Sequence, residues 1–434
     1  MKQLTRLFIP ICLETLFYML SGMVDTLMLS AVGDYAVGAV GTANSYIGIF
    51  IIMFSIISSG MVSVMTQNIG AGRPGVAYQA RQLGLLFNAV AGVLMAAFLF
   101  SGAGAILRMV GIADALYEPA LIYLKIVGGG CILNAVIPIF SSYLPAFGYT
   151  KQPLYATIVG NIANFVMNAV FLFVLHKGVA GVATATVISK ILNLCIVLYF
   201  SHKLISAKNS TERIANKTVL GQIVKVGLPS ACETALYNVA MMLVIRFLNQ
   251  MDAEGLNVTA RSYTATISNF SYCVGAALAQ ANAIMTGWHI GAGELEECDR
   301  GTKRAAFVGV CVAVCMETAI VLGSGFIMPL FTDNPEMTAL VRKLLAIDIV
   351  LEIGRVTNLV FGQALKTSGD AVFPAVIAAV FMFVFAVGGT WLFGISMGLM
   401  AVGAYIGLAS DECVRAVGMV WRWKTGKWRT KKLV

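Results

Sequence analysis

Charged side chains inside the long apolar stretches are the residues best able to carry chemistry in this sequence. Asp25 lies within SGMVDTLMLS, where no Lys or Arg falls within a helical turn of it. A charge at the centre of a membrane span costs about 2.5 to 3.5 kcal/mol on insertion scales, so it needs a partner or a function. A lone carboxylate in such a place can bind a proton or a metal cation, which makes Asp25 a candidate ion-binding residue.

Amide side chains recur at helical spacing in a later apolar stretch, NIANFVMNAVF, as Asn161, Asn164 and Asn168. Residues three or four apart share a helix face, and amide oxygens there can complete a cation site begun by one carboxylate. The alternative is that these amides only hydrogen-bond to a neighbouring helix, as polar residues in membranes often do. Spacing alone does not bring this stretch next to Asp25.

Charges in the second half of the chain come mostly as acid–base or acid–acid neighbours on one helix face. Three such pairs occur at a spacing of three or four residues: Asp348 with Glu352, Glu352 with Arg355, and Asp411 with Arg415. A buried polar clamp that fixes helix register and a substrate-binding role explain this pattern equally well.

The composition requires a lipid environment for the elements that carry these residues. The 434 residues are 59% hydrophobic and 12% charged, whereas a soluble domain has roughly 25% charged residues. Nearly every window of about 20 residues is apolar enough to span a bilayer. The nine cysteines lie mostly inside apolar stretches, which argues against a disulfide framework or a metal cluster. The sequence therefore predicts an all-α integral membrane protein without a bound metal cofactor.

Apolar runs separated by polar or Gly/Pro-rich breaks predict about twelve spans. They cover residues 7–31, 40–66, 83–107, 119–144, 153–175, 180–201, 222–249, 259–286, 304–330, 338–364, 373–394 and 398–421. The polar stretch SAKNSTERIANK follows the sixth span. We therefore predict an N-lobe of six spans (1–205), a cytoplasmic linker (206–221), a C-lobe of six spans (222–421) and a basic cytoplasmic tail (422–434).

The two halves repeat each other in order. Pro10-x-x-x-Glu14-Thr15 returns as Pro229-x-x-x-Glu233-Thr234. The tetrapeptide Ile-Gly-Ala-Gly at 69–72 returns at 290–293, in the loop after the second span of each half, and predicts the same turn at both places. Each copy has an even number of spans, so the copies should run in the same direction. The sequence thus predicts two six-helix lobes related by a pseudo-twofold axis along the membrane normal, with a cleft between them.

The net charge of +9 lies mainly in loops and the tail, not on an amphipathic face. Lys and Arg are concentrated on one side, which predicts a plasma-membrane protein with both termini in the cytoplasm. The tail WRWKTGKWRTKK is typical of an interfacial anchor that faces anionic lipid, and we expect no nucleic-acid binding. The three histidines, His176, His202 and His289, lack ligand spacing to other metal-binding residues, so no enzymatic activity is expected.

These features together resemble the multidrug and toxic compound extrusion (MATE) family, and the resemblance covers essentially the whole chain. It depends on Pro10 placed fifteen residues before Asp25 and on further ordered strings, namely TQNIGAGRP (66–74), GVAGVATATVIS (178–189), GLPSACET (227–234), EIGRVTN (352–358) and ALKTSGDAVFP (364–374). Members with a later acid on the seventh helix differ from this chain. The set with Glu233, Glu352 and Arg355 is similar to a Gram-positive-type subgroup.

The resemblance implies a cation-coupling site and an activity. In that family, residues that match Asp25, Asn164, Asn168 and Thr186 form the coupling site of the first lobe, which takes H+ or Na+. The polar cluster of the second lobe, with Glu233, Glu352, Arg355 and Asp348, is then either a substrate-binding or a structural feature. The implied activity is export of small cationic or amphipathic organic compounds in exchange for H+ or Na+ by alternating access, by a monomer without a cofactor.

Three other classes of membrane protein share part of this pattern. A flippase for lipid-linked oligosaccharides or lipids, from the same superfamily, would usually have more spans and a more cationic cavity. A major-facilitator transporter shares the parallel plan of six plus six spans, but its charged loop signature is missing from NIGAGRPGVAYQAR. A receptor or scaffold predicts neither duplicated lobes nor a lone carboxylate inside a span.

Overall fold

The protein is all-helical in the computed structural model, which describes residues 2–110, 112–205, 212–252 and 255–434. This confirms the predicted fold class. The helices are α1 (Lys2–Ser30), α2 (Asp34–Gly70), α3 (Pro74–Val110), α4 (Asp114–Gly129), α5 (Cys131–Ala146), α6 (Lys151–Ala169), α7 (Gly178–Leu204), α8 (Asn216–Met251), α9 (Leu256–Ala292), α10 (Leu295–Ile327), α11 (Pro335–Thr367), α12 (Val372–Phe381) and α13 (Met400–Lys424).

Three elements depart from a straight α-helix, namely the pair α4 and α5, and the single helices α6 and α12. A 44° bend at Gly130 separates α4 from α5, so the two together make one broken span. The bend falls in the run Gly128-Gly129-Gly130, which destabilises a regular helix. α6 continues through a π-helical stretch, Val170–Val174, and α12 through two, Met382–Val387 and Thr390–Ser396. Counted this way, the helices of the described chain match the twelve predicted spans.

The apolar character of these twelve elements is uneven. Within the described ranges, eight helices are long and apolar enough to cross a membrane by themselves, and the bent pair α4 and α5 makes a ninth. The helices that fall short are α9, α11 and α13. α11 and α13 carry the buried charges of the second half and α9 is rich in Ser, Thr and Asn, so their polarity reflects what they hold inside the protein.

The chain divides into two compact units, Met1–Gly227 and Leu228–Val434. The first part of the predicted linker, residues 206–211, lies outside the described residues. Residues 212–215 are non-helical, and α8 begins at Asn216, six residues before the predicted start of the C-lobe. We keep the names N-lobe and C-lobe for the two units.

In the N-lobe, α6 packs between α1 and α7, while α3 packs against α2, α4 and α5. The core between α2, α3 and α4 is built from fully buried Ala36, Ala39, Leu99 and Leu124, among others. Small side chains at these positions let the helices approach closely, as is usual where lipid offers no hydrophobic driving force. This packing settles what the sequence left open, because it puts the amide-bearing helix α6 beside α1.

In the C-lobe, α11 is the central helix and packs against α9, α10 and α13. Gly354 of α11 touches the backbone of α13: a Cβ built there would lie 2.7 Å from Cys413 N and 2.8 Å from the Glu412 carbonyl carbon. Only glycine permits so close an approach. The charged residues of α11 and α13 therefore meet inside the lobe instead of facing lipid.

The repeated Ile-Gly-Ala-Gly forms the same turn in both lobes, as predicted. Gly72 has φ 75° and Gly293 has φ 78°, the left-handed conformation that favours glycine. The hydrogen bonds also correspond. Gly72 N donates to Ile69 O at 3.1 Å, and Gly293 N donates to Ile290 O at 3.2 Å.

The basic tail differs from the predicted lipid anchor. Trp423 and Trp428 are each 1% exposed, and their rings stack with centroids 4.2 Å apart. Arg429 pairs with Glu296 at 2.7 Å. Of the tail tryptophans, only Trp421, which is 58% exposed, has the accessibility expected of an interfacial residue, and four lysines of the tail are exposed as well. Trp423, Trp428 and Arg429 instead hold the end of α13 against its own lobe.

Candidate functional site

A chain of hydrogen bonds joins three of the predicted N-lobe site residues. Asn168 Nδ2 donates to Asp25 Oδ1 at 2.8 Å and to Asn164 Oδ1 at 3.1 Å. Asn164 and Asn168 are buried and Asp25 is half-buried. The Oδ1 of Asn168 is buried and accepts no hydrogen bond. The structure therefore brings one carboxylate and two amide oxygens together, and one of those oxygens is free to bind a cation.

The fourth predicted residue, Thr186, lies next to this chain but does not bond to Asp25. Its hydroxyl donates to Val182 O at 2.9 Å and also interacts with the Tyr123 hydroxyl. The link from α7 to the amides comes through Ser189, whose Oγ accepts from Asn164 Nδ2 at 3.5 Å. Ser189 was not among the predicted residues, although it lies three residues after Thr186 on the same helix face.

Asn161 and Lys190 refine what the sequence suggested about this region. Asn161 Nδ2 donates to the Phe17 carbonyl of α1 at 2.9 Å, so this amide ties the two helices together. Lys190 of α7 lies close enough to Asp25 to act on it electrostatically, and its Nζ donates to Asn134 Oδ1 at 2.7 Å. Asp25 therefore has a basic neighbour from another helix, which spacing along α1 could not reveal.

The C-lobe holds a larger network of buried ion pairs. The predicted pairs Glu352 with Arg355 and Asp411 with Arg415 both form, the latter at 2.7 Å. Glu412 joins them, because its Oε1 lies 2.8 Å from Arg415 Nη2 and 3.8 Å from Arg355 Nε. Sequence reasoning missed this bridging role, since helical spacing relates Glu412 to Arg415 but not to a different helix.

Glu233 stands apart from the other predicted C-lobe residues. Its Oε2 lies 2.8 Å from Lys366 Nζ, and its carboxylate acts on Arg415 only through longer-range electrostatics. Asp348, Glu352 and Arg355 lie together on α11. The predicted set of four is thus a group of three plus one residue in a separate ion pair.

A third acid, from α10, lies beside the two acids of α11. Oxygen atoms of Glu317 on α10, Asp348 and Glu352 all lie within 4.8 Å of one another, and all three residues are buried. Glu317 lies in CVAVCMETAIV with no Lys or Arg within a turn. It therefore meets the same criterion that singled out Asp25, and the sequence contained the signal for it.

A cavity of about 270 Å³ opens beside this network within the C-lobe. Its lining includes three tyrosines and several charged groups, among them Tyr237, Tyr272, Tyr405, Asp348, Arg355 and Glu412. The Arg355 guanidinium carbon lies 5.7 Å from the centre of the Tyr272 ring. Aromatic faces combined with carboxylates are suited to bind organic cations, and ligand cavities commonly have this mixed lining.

An all-helical chain with this many membrane-length helices, with a carboxylate held among amides in one lobe and a group of buried carboxylates in the other, has the build of a multi-pass membrane transporter. The protein-family model MatE matches residues 10–170 and matches again at 229–392. The chain belongs to the MATE family, whose members are transporters and not enzymes. The two matches correspond to the two halves of the internal repeat.

Relatives and solved structures agree with this assignment. The chain is 33% identical over 428 residues to the uncharacterized transporter YisQ of Bacillus subtilis, covering 97% of this chain and 94% of the relative. It is 20% identical over 446 residues to the probable multidrug resistance protein NorM of Thermotoga maritima, covering 100% and 94%. The Bacillus relative agrees with the Gram-positive-type subgroup suggested by the second-lobe acids.

Two solved structures show the same fold. A MATE transporter in the straight conformation superposes with a TM-score of 0.86 at 21% identity, over 99% of this chain and 97% of that one. An outward-facing multidrug resistance MATE family transporter superposes with a TM-score of 0.84 at 20% identity, over 98% and 96%.

Proposed function

We propose that this transporter is a multidrug efflux antiporter, which exports small cationic or amphipathic organic compounds in exchange for H+ or Na+. The observation that carries the proposal is the bond from Asn168 to Asp25, with Asn164 next in the chain. One carboxylate with amide oxygens around it can alternately hold a proton or a sodium ion and release it. The probable multidrug resistance protein of Thermotoga maritima supports the same activity.

Coupling requires that the ion change the relative stability of two conformations. An ion shifts a conformational equilibrium only through a difference in its affinity for the two states. Binding of H+ or Na+ at Asp25 removes a negative charge from the N-lobe and frees Asn168 Nδ2 from its carboxylate partner. The α1–α6 contact then changes, and with it the affinity for the organic cation. This is the step that would drive alternating access.

The organic substrate has a candidate site in the C-lobe cavity. Its tyrosine rings and the carboxylates of Asp348 and Glu412 favour a lipophilic cation, while Arg355 limits the net negative charge. Glu352 and Glu233 then act by holding Arg355 and Lys366, respectively, in their ion pairs. We further propose a monomer in the plasma membrane with both termini in the cytoplasm, which the Lys and Arg distribution favours.

The test is dye efflux from proteoliposomes under separately imposed proton and sodium gradients. The unmodified protein should expel a cationic dye under at least one gradient, and the responding gradient identifies the coupling ion. Asp25→Asn should abolish this gradient-driven efflux, because the amide can take up neither a proton nor a cation in the same way.

The matched control is Glu118→Gln, which removes an exposed acid of the same lobe and should leave efflux unchanged. Normal efflux by Asp25→Asn would overturn the role of Asp25. Failure of both gradients to move any cationic dye with the unmodified protein would overturn antiport itself.

A further inference from the structure

Arg81 of α3 is a buried guanidinium without an anionic partner. The side chain is 9% exposed, and its buried Nε donates no hydrogen bond. Within the described ranges, no acid lies within 4 Å of its nitrogen atoms. Arginine is almost never buried unless it is paired, because an unpaired buried charge is costly. Residues 206–211, outside the described ranges, contain no Asp or Glu that could pair with it, so the missing negative charge has to come from a ligand.

Aromatic rings lie around the guanidinium of Arg81. Its central carbon is 4.6 Å from the ring centre of Tyr78, 5.5 Å from that of Phe140 and 5.2 Å from that of Tyr143. Ring faces attract a cation, which explains how the charge is tolerated inside the lobe. Rings do not replace oxygen acceptors for the five N–H donors of the group. A guanidinium that packs on aromatic rings and has N–H groups to spare is how arginine binds phosphate.

The charges around Arg81 give an independent indication of an anionic ligand. In the described parts of the chain, every ion pair within 4 Å lies in the C-lobe. The helix ends of the N-lobe on the same side as the start of α3 carry exposed bases, namely Lys2, Arg6, Arg73, Lys151, Lys203, Arg213 and Lys217. Among the described residues there, only Glu212 carries a negative charge. This end of the lobe is therefore strongly positive and lacks internal compensation.

The C-lobe fills the corresponding place with a side chain of its own tail. In the register of the repeated Ile-Gly-Ala-Gly, Tyr78 corresponds to Asp299 and Phe140 corresponds to Phe361. Trp423 contacts both residues of the C-lobe. Its Nε1 donates to Asp299 Oδ1 at 2.7 Å, and its ring centre lies 5.9 Å from that of Phe361. The described residues of the N-lobe offer the guanidinium no such partner, which leaves this place to a ligand.

The position of Arg81 along α3 indicates a lipid as the source of the anion. α3 has 37 residues, about 55 Å of helix, whereas the hydrocarbon core of a bilayer is about 30 Å thick. Arg81 comes two residues before the apolar run 83–107. It therefore lies where the helix leaves the hydrocarbon region, at the depth of the phospholipid phosphates. Tyr78, one turn earlier, is an aromatic residue of the type enriched at this depth.

We propose that Arg81 binds the phosphate of an anionic phospholipid at this end of the N-lobe. The guanidinium donates to the phosphate oxygens, and the exposed bases nearby favour a headgroup of net negative charge over a zwitterionic one. This site is separate from the one at Asp25 and does not depend on the transport activity proposed above.

The experiment titrates phosphatidylglycerol into the delipidated, detergent-solubilised full-length protein and counts the bound lipids by native mass spectrometry. Phosphatidylcholine, which carries a phosphate but no net charge, is titrated in parallel. The first phosphatidylglycerol molecule should bind more tightly than the first phosphatidylcholine molecule. Arg81→Gln should weaken this first binding step about ten- to a hundredfold, because it removes hydrogen bonds between charged groups.

Arg81→Lys is the second variant and keeps the positive charge, so it answers the question even if Arg81→Gln fails to fold. It loses the planar fork of N–H donors and should weaken the first binding step by at least about fivefold. The matched control is Arg73→Gln, which removes an exposed arginine just before α3. Because exposed charges contribute little, the control should change the affinity by less than about threefold.

Three results would contradict the proposal. The first is that both Arg81 variants fold, as judged by their helical circular dichroism, and bind phosphatidylglycerol as tightly as the unmodified protein. The second is equal affinity of the unmodified protein for the two lipids. The third comes from inorganic phosphate. If phosphate raises the melting temperature of the unmodified protein but not that of Arg81→Gln, and phosphatidylglycerol does not bind at Arg81, the ligand is a free phosphate and not a lipid.

Discussion

The two lobes hold opposite chemistry at equivalent positions. In the register set by Gly148 and Gly369, Asn134 of α5 corresponds to Arg355 of α11, and the turns before α7 and α13 align Lys190 with Glu412. In each lobe these two residues contact each other across the equivalent pair of helices. Lys190 of α7 bonds to Asn134 of α5 at 2.7 Å, and Arg355 of α11 lies 3.8 Å from Glu412 of α13. The contact is thus present in both lobes, but the basic residue lies on α7 in the N-lobe and on α11 in the C-lobe.

Asp25, the proposed coupling acid, shows the same divergence. In the register of Pro10 and Pro229, the position of Asp25 is held in the C-lobe by Val244, which is 0% exposed. Turns and helix ends are kept because every buried backbone N–H and C=O must be paired in both copies. Side chains inside the lobes carry no such constraint. The duplication therefore preserved the backbone and left each lobe free to acquire its own polar interior.

Among the variants that test this comparison, Glu412→Gln should cause the largest loss of thermal stability. It removes the charge that Arg355 and Arg415 share, and breaking a buried ion pair typically costs about 3 to 5 kcal/mol. We expect a large fall in the thermal melting temperature of the detergent-solubilised protein.

The equivalent change in the N-lobe is Lys190→Gln, and it should cost less. Its hydrogen-bond partner Asn134 is neutral and Asp25 acts on it only electrostatically, without an ion pair, so the main loss is that of one hydrogen bond with a buried acceptor, about 1 to 3 kcal/mol. Equal losses of melting temperature in the two variants would contradict the expectation that the charged contact of the C-lobe contributes more stability than the Lys190–Asn134 bond of the N-lobe.

Asn168→Ala should have an intermediate effect, on ion affinity instead of stability. The bond from Asn168 to the ion-free Asp25 carboxylate is worth about 1.5 to 3 kcal/mol and is lost when a proton binds, so without it H+ should bind about ten- to a hundredfold more tightly. Na+ would instead lose the amide oxygen of Asn168 as a ligand and should bind more weakly, so the direction of the change also identifies the coupling ion. The measurement is the ion concentration that gives half-maximal efflux. Asn161→Ala is the matched control on the same helix. Because Asn161 bonds to the Phe17 carbonyl, the control should leave that concentration unchanged.

Arg429→Ala should have the smallest effect. Its partner Glu296 is 71% exposed and Arg429 38% exposed, and exposed pairs contribute about 0.2 to 1 kcal/mol. The melting temperature should change little, and the change should shrink further at high salt. A loss comparable with that of Glu412→Gln would mean that the tail is a main structural support of the C-lobe.

Most of the fold could be predicted from the sequence because lipid imposes a simple rule. An apolar run of about 20 residues forms a helix, and the runs 40–66 and 373–394, for example, lie within helical segments of the structure. The repeat of Ile-Gly-Ala-Gly predicted a shared turn because glycine is required at its left-handed position. The bend at Gly130 was not predicted, since the run 119–144 is apolar enough as a whole to read as one span and a bend leaves no trace in hydropathy.

The sites were predicted less completely, for a different physical reason. Helical spacing finds partners on one helix, such as Glu352 with Arg355, but says nothing of partners on another. Lys190 beside Asp25, and Lys366 beside Glu233, come from other helices. The roles of the predicted site residues stay predictions until the experiments above are done. Glu317 could have been found, because it is an acid in the middle of a span without a base nearby.

The π-helical stretches account for a one-residue difference in length between equivalent segments of the two lobes. Pro153 aligns with Pro374 at an offset of 221 residues, and the hydrogen bond from Lys177 N to Phe171 O aligns with that from Leu399 N to Phe393 O at 222. The C-lobe thus has one more residue in this segment, and it also has one more π-helical stretch. A π turn takes up an extra residue without breaking the helix. The extra residue of the C-lobe segment is therefore absorbed within the helix, and the ends of the segment remain in register with the rest of the lobe.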